Sequence, residues 1–361
     1  MTRLLLTFVF LLCSQPVLAK QPISMLFVNP SLPGEPFWQR VEAITRAAAT
    51  ELGVELEVIY GEGNRIIQLQ QLEKYLAYRA TPDYVLLINY PSGAEQTLTL
   101  LDKYKVKHIT LERTLSGPEL QAVGKPKQRF PYWLGEIHHN NEQAGFDLAK
   151  ALYQQAKNKG HNQIYPILIN GHYGAESELR QAGAERFFKQ QNIAIQQVVY
   201  AGWSKKQAMD KATKLLKRYP DTNLIWSASD LMAMGAIAAP NLREQVVVGG
   251  FDWLSDSFAL IHRGKLNASV GGHFMMGAWA LISAYDHFHG HPFWSEHDEI
   301  AFDLSVVTKD NITQYQWIAD EVTWQRLDYT SMSLVTQPQQ TYQFSLAWLA
   351  ANSIPSVKAG Q

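Results

Sequence analysis

Residues 223–253 read NLIWSASDLMAMGAIAAPNLREQVVVGGFDW. Two short apolar runs, 224–226 and 246–248, each end in a small polar cluster. The first cluster is Ser227-Ala228-Ser229-Asp230 and the second is Gly249-Gly250-Phe251-Asp252. Between them Leu231, Met234 and Ile237 recur at helical spacing. The order is strand, polar loop, helix, strand, polar loop. In an open parallel sheet, ligands bind outside the carboxyl ends of the strands, and both clusters fall there.

Working outward, the same unit recurs. Residues 23–28 form a β-rich run, followed by a Pro- and Gly-rich loop. Trp38, Val41, Ile44, Ala48 and Leu52 then mark an amphipathic helix with Pro36 at its first turn. Strands are expected at 54–60, 84–88, 107–111 and 132–137, and helices at 66–79 and 94–104. Residues 117–130 read as a surface loop. The pattern restarts with a helix at 141–157, a strand at 165–169 and a helix at 178–191. A strand at 196–200 and a helix from the Ser204–Gln207 capping box follow. Beyond the opening stretch, a strand is expected at 266–270, a helix at 275–289 and one alternating strand at 302–307. Strands alternating with helices imply two α/β lobes, each with a doubly wound parallel sheet.

Composition sets the frame. The 361 residues suffice for two lobes. Hydrophobic content of 46% with 18% charged residues is that of a globular protein. A net charge of −1 offers no basic field, so no nucleic-acid partner is expected. Arg3, the apolar run 4–13 and Val17-Leu18-Ala19 read as an export leader cleaved after Ala19, directing the chain to the periplasm. Cys13, the single cysteine, leaves with it, so neither disulfide nor thiol chemistry is expected.

Enzyme signatures are missing: no phosphate-binding loop with its lysine, no paired-histidine zinc helix, no serine nucleophile elbow. No cofactor and no metal are expected. The His287, His289, His291 and His297 tract reads as an exposed helix end and loop rather than a metal site.

Against this stand polar and aromatic groups at strand ends. Phe37 and Trp38 open the first helix. Glu112 and Arg113 follow a strand; their plainer reading is a surface ion pair, worth little. Arg180 sits in the first turns of a helix. Ser229, Asp230 and Asp252 end two strands, and for Asp230 helix capping and ligand contact are evenly matched. Together the types fit a polyhydroxylated ligand. Carboxylates and guanidiniums grip neighbouring hydroxyls with charge-assisted bonds, and aromatic faces cover C–H surfaces.

These residues resemble the ribose/galactose-type (type I) periplasmic solute-binding proteins over nearly all of the chain beyond the leader. The matching pieces are Glu35-Pro36-Phe37-Trp38, Asp83-Tyr84-Val85-Leu86-Leu87-Ile88-Asn89, Ile109-Thr110-Leu111-Glu112-Arg113, Asn140-Asn141-Glu142-Gln143-Ala144-Gly145, Arg180 with Gly183, and the opening stretch. The chain is also similar to autoinducer-2 receptors around 132–145 and 180–183. The resemblance implies two lobes joined by three crossings, a ligand in the cleft and closure on binding. It implies ligand contacts at Phe37, Trp38, Arg113, Asn141, Arg180, Ser229 and Asp252. The family's Asp-Arg pair reads Glu112-Arg113 here, and Ser229 stands where it has Asn. A further contact is expected near Gly272-His273, and His273 is taken for it. Expected boundaries are 1–19 leader, 20–132 plus 273–304 first lobe, 133–272 plus 305–345 second lobe, and 346–361 tail.

Three functions compete. The first is a monomeric carrier of a monosaccharide-like ligand for an ABC importer's permease. The second is a receptor presenting its ligand to a membrane sensor kinase or chemoreceptor. The third, ranked last, is a secreted glycosidase using Glu112 and Asp252.

Overall fold

The computed structural model describes residues 22–338 and 341–352. The leader expected at 1–19 lies outside the described residues.

The first lobe begins β1 (Ser24–Asn29), α1 (Pro36–Leu52), β2 (Glu55–Tyr60), α2 (Arg65–Tyr78), β3 (Tyr84–Leu87), α3 (Ala94–Lys103), β4 (Lys107–Glu112), α4 (Gly117–Val123) and β5 (Trp133–His139). The second lobe follows with α5 (Asn141–Asn158), β6 (Pro166–Asn170), α6 (Ala175–Gln190), β7 (Gln197–Tyr200), α7 (Lys205–Arg218), β8 (Leu224–Ser227), α8 (Asp230–Ile237), β9 (Val247–Phe251), α9 (Ser255–His262) and β10 (Ala268–Gly271). The chain then returns through α10 (Met276–Phe288), α11 (Phe293–Glu296) and β11 (Glu299–Phe302), crosses to β12 (Ser305–Thr308) and α12 (Gln316–Ala319), and ends in α13 (Glu321–Trp324) and α14 (Leu346–Asn352).

The two six-stranded sheets share one topology. Their orders are β2-β1-β3-β4-β5-β11 and β7-β6-β8-β9-β10-β12. All pairs are parallel except β10 with β12. Inner strands such as β3, β6, β8 and β9 are buried along their whole length, because helices cover both faces of each sheet. That is why they read as unbroken apolar runs.

Four expectations change. β5 pairs with β4 and β11 in the first sheet, so the first crossing follows His139 instead of preceding Trp133. The single strand expected at 302–307 is two strands, β11 and β12, in different sheets. Apolar alternation runs on through 303–304, and no Gly or Pro marks the third crossing there. Residues 117–123 form a short helix, α4, with Pro118 in its first turn.

The fourth change concerns the residues after α12, which return to the first lobe. Trp324 stacks on Phe274 at 5.3 Å, Phe344 on Trp279 at 5.3 Å, and Tyr342 on Phe344 at 4.4 Å. Buried Asp286 of α10 accepts from Leu334 N (2.8 Å), Tyr342 Oη (2.8 Å) and Ser333 Oγ. Leu349 is fully buried, and Leu346 fills the space beside Gly272. The tail expected from 346 therefore begins as a packed strap, α14, laid against the second crossing. The histidine tract serves separate local contacts: His287 Nδ1 meets Tyr84 Oη at 2.7 Å, and His291 Nδ1 accepts from Phe293 N.

Candidate functional site

The carboxyl ends of both sheets face one another across a cavity of about 510 Å³. The first lobe lines it with Glu35, Phe37, Trp38, Tyr90, Glu112 and Arg113. The second adds His172, Glu176, Arg180, Trp203, Ser229 and Asp252, and His273 enters from the second crossing. Eight of the ten expected residues thus converge: Phe37, Trp38, Glu112, Arg113, Arg180, Ser229, Asp252 and His273.

The backbone aims several of these groups. Glu112 ends β4 at φ 77° and Asp252 follows β9 at φ 106°. Left-handed backbone at residues other than glycine costs about 1–3 kcal/mol and clusters where function requires it. Here one such carboxylate projects from each lobe. Trp203, at φ 59°, lies with its ring over Gly171, where any Cβ would collide at 2.3 Å.

Arg180 owes its place to two glycines. A Cβ on Gly145 would lie 1.8 Å from Arg180 O, and one on Gly183 would lie 1.8 Å from Glu142 O. Helices α5 and α6 therefore touch backbone to backbone, which sets Asn141 beside Arg180. Arg180 Nε donates to Asn141 Oδ1 at 2.8 Å and Nη1 donates to Ala228 O at 2.9 Å. Its guanidinium carbon sits 4.7 Å over the Phe251 ring, and Nη1 is 3.9 Å from Asp252 Oδ1. Asp252 Oδ1 also lies 3.4 Å from His273 Nε2.

Arg113 is held differently. Nη2 donates to Asn89 O. Nε lies 3.0 Å from Glu176 Oε1 of the opposite lobe, an ion pair whose N–H is not aligned for a hydrogen bond. The aromatic wall is continuous: Phe37 meets Trp38 edge-on at 5.3 Å and stacks on His273 at 4.4 Å, and His273 lies 4.9 Å from His139.

Two expected contacts lie behind the wall. Asn141 is a buried brace for Arg180 and also meets His139 Nε2 at 3.1 Å. Asp230 turns inward, accepting from Ser269 Oγ at 2.8 Å and Leu254 N at 3.1 Å. The cap of α8 is Ser229, whose hydroxyl accepts from Met232 N at 3.2 Å. Sequence reasoning missed Glu176, His172, Trp203 and Tyr90. A signal for Trp203 was present, since Gly202-Trp203 lies in the polar loop just past the carboxyl end of β7.

Burial dominates the electrostatics. Glu112 is pushed up to about 8 by desolvation and then by the Glu176 charge, against Arg180 and Arg113. Desolvation also raises Asp252, to about 6, although Arg180 pulls it down. Glu35, desolvated and near Asp252, is raised in spite of the bond from Trp38 N. Desolvation holds His273 and His139 well below the usual imidazole range, so both rings are neutral near pH 7.

Two lobes of one topology, enclosing charged pairs and aromatic faces, define a two-lobed ligand-binding protein. The chain belongs to the periplasmic binding protein family: the family model described as a periplasmic binding protein domain matches residues 25–292. It is 34% identical over 249 residues, 65% of this chain and 75% of that protein, to the D-allose-binding periplasmic protein of Escherichia coli K12. It is 24% identical over 279 residues, 76% of this chain and 84% of the other, to the D-apiose import binding protein of Paraburkholderia graminis. A solved periplasmic sugar-binding protein from Pseudomonas fluorescens superimposes with a TM-score of 0.80 at 26% identity, covering 90% of this chain and 99% of that one.

Proposed function

We propose that this chain binds a monosaccharide-like polyhydroxylated ligand between its lobes in the periplasm and, as a monomer, delivers it to the permease of an ABC importer. The observation that carries the reading is one cavity holding Glu112 and Arg113 from one lobe, Arg180 and Asp252 from the other, and Phe37, Trp38 and Trp203 beside them. Each carboxylate or guanidinium presents paired acceptors or donors that match vicinal hydroxyls. The aromatic faces match the C–H side of a sugar ring. The named relatives bind or import sugars, which supports the same conclusion.

The arrangement favours binding over hydrolysis. Arg180 and Asp252 sit within one buried network, which suits a group that orients hydroxyls. The test is calorimetry and thermal shift against pentoses, hexoses and furanoses, D-allose included. A ligand at 100 times its Kd adds about 2.7 kcal/mol of stability, so one sugar should raise Tm by several degrees. No shift with any of them overturns the reading. Release of monosaccharide from glycosides on long incubation would replace it with the glycosidase.

A further inference from the structure

The cavity is lined by more carboxylates than guanidiniums. Four lining side chains are carboxylates, Glu35, Glu112, Glu176 and Asp252, against two guanidiniums, Arg113 and Arg180. Both guanidiniums are already engaged: Arg180 with Asn141 Oδ1 and Ala228 O, and Arg113 with Asn89 O and Glu176. Asp252 faces Arg180, and Glu35 accepts from Trp38 N at 2.8 Å.

Glu112 has no such match. It is only 8% exposed, lines the cavity, and makes no hydrogen bond or ion pair to any described residue. Its strongest charged neighbour is another carboxylate, Glu176. His273, fully buried at the same wall, has neither ring nitrogen in a hydrogen bond.

With a nitrogen-free sugar in the cleft, burial and the neighbouring Glu176 keep Glu112 protonated near pH 7; its ionised form, costly when buried unpaired, needs a cation beside it. An ammonium group supplies a charge and three donors at once. The indoles of Trp38 and Trp203, one from each lobe, add faces that attract a cation.

We propose that the ligand is an amino sugar or aminopolyol whose ammonium group is received by Glu112 and the acceptors around it. This rests on the polyol-binding reading above.

The test is calorimetry at pH 7 with D-glucosamine, D-galactosamine and D-mannosamine, each beside its neutral parent and its N-acetyl form. The expected result is at least one amine binding tenfold or more tighter than its parent, with N-acetylation erasing the gain. Glu112→Gln should bring that ratio down toward unity. Glu176→Gln should lower it several-fold, and it covers the case in which the first variant does not fold. A neutral sugar binding as tightly as its amine, or a ratio unchanged in both variants, overturns the inference and leaves the polyol reading standing. No binding by amines or neutral sugars overturns both.

Discussion

The two guanidiniums of the cleft are built to opposite plans. Arg180 is fixed within its own lobe by Asn141, Ala228 O, the Phe251 ring and Asp252. Arg113 has one anchor at home, Asn89 O, and its charge partner, Glu176, comes from across the cleft. The second lobe thus presents a rigid half-site before any ligand arrives. The first lobe presents a group whose partner must be exchanged. Fixed groups bind tightly because little ordering cost remains at the moment of contact. An exchangeable cross-cleft pair instead links ligand entry to the relative position of the lobes.

The largest expected effect breaks the rigid side. Arg180→Ala leaves Asp252 and Asn141 without their partner and should weaken sugar binding by about 3–5 kcal/mol, a loss calorimetry reads as abolished binding. Far-ultraviolet circular dichroism should stay native. Near-normal affinity would mean that Arg180 is scaffold alone. Gly183→Ala strikes the same half-site indirectly. Its new methyl must displace Glu142 O, at about 1–3 kcal/mol in urea denaturation, and affinity should fall with stability.

On the exchangeable side the effects are smaller. Glu176→Ala removes the cross-cleft pair, but Arg113 keeps its bond to Asn89 O and Glu112 loses a neighbouring like charge, so the net cost should be smaller than that of Arg180→Ala. Small-angle scattering of the ligand-free protein should show a larger radius of gyration than the parent. An unchanged radius would separate Glu176 from the lobe geometry.

The smallest effect is on pH dependence. Glu112 titrates at about 8 in the folded chain, above its ordinary 4.5. The folded form therefore holds a proton that the unfolded form has lost, and this contribution disappears as pH rises toward 8. Glu136, also pushed up to about 8 by burial, acts in the same direction. Buried neutral His108, His139 and His273 act in the opposite direction below about 6.5. Between pH 6.5 and 8 the carboxylates prevail, so Tm should fall as pH rises. Glu112→Gln should flatten part of that slope, and an unaltered slope would remove Glu112 from the account.

The comparison also marks how far the sequence could be read. Arg180 and Asp252 were legible because local pattern sets them: a helix start, a strand end, and Gly145 and Gly183 forcing two helices together. Glu176 was not legible. Its helix is local, but its meeting with Arg113 depends on how two lobes face one another. Asp230 and Asn141 were expected to touch the ligand but lie behind the cavity wall, since a strand-end residue can turn into the cleft or behind it. The fold was legible because doubly covered strands must be apolar. The third crossing escaped because the apolar alternation of β11 continues into β12. The strap after α12 escaped because its contacts, such as Tyr329 N to Glu51 Oε2 at 3.2 Å, join residues far apart in the chain.

That strap bears on the order of assembly. The second lobe is nearly contiguous, with five of its six strands between residues 166 and 271. Its core can form from one uninterrupted stretch, as units of a long chain usually do during synthesis. The first lobe cannot finish in the same way. Its early strands must wait for α10 and β11, and then for Trp324, Tyr342 and Phe344, before their apolar surface is covered. Distant closures of this kind are slow because the loop entropy is lost before the contacts form. The lobe that starts first is therefore completed last, and during biogenesis it is the half that a chaperone has reason to hold.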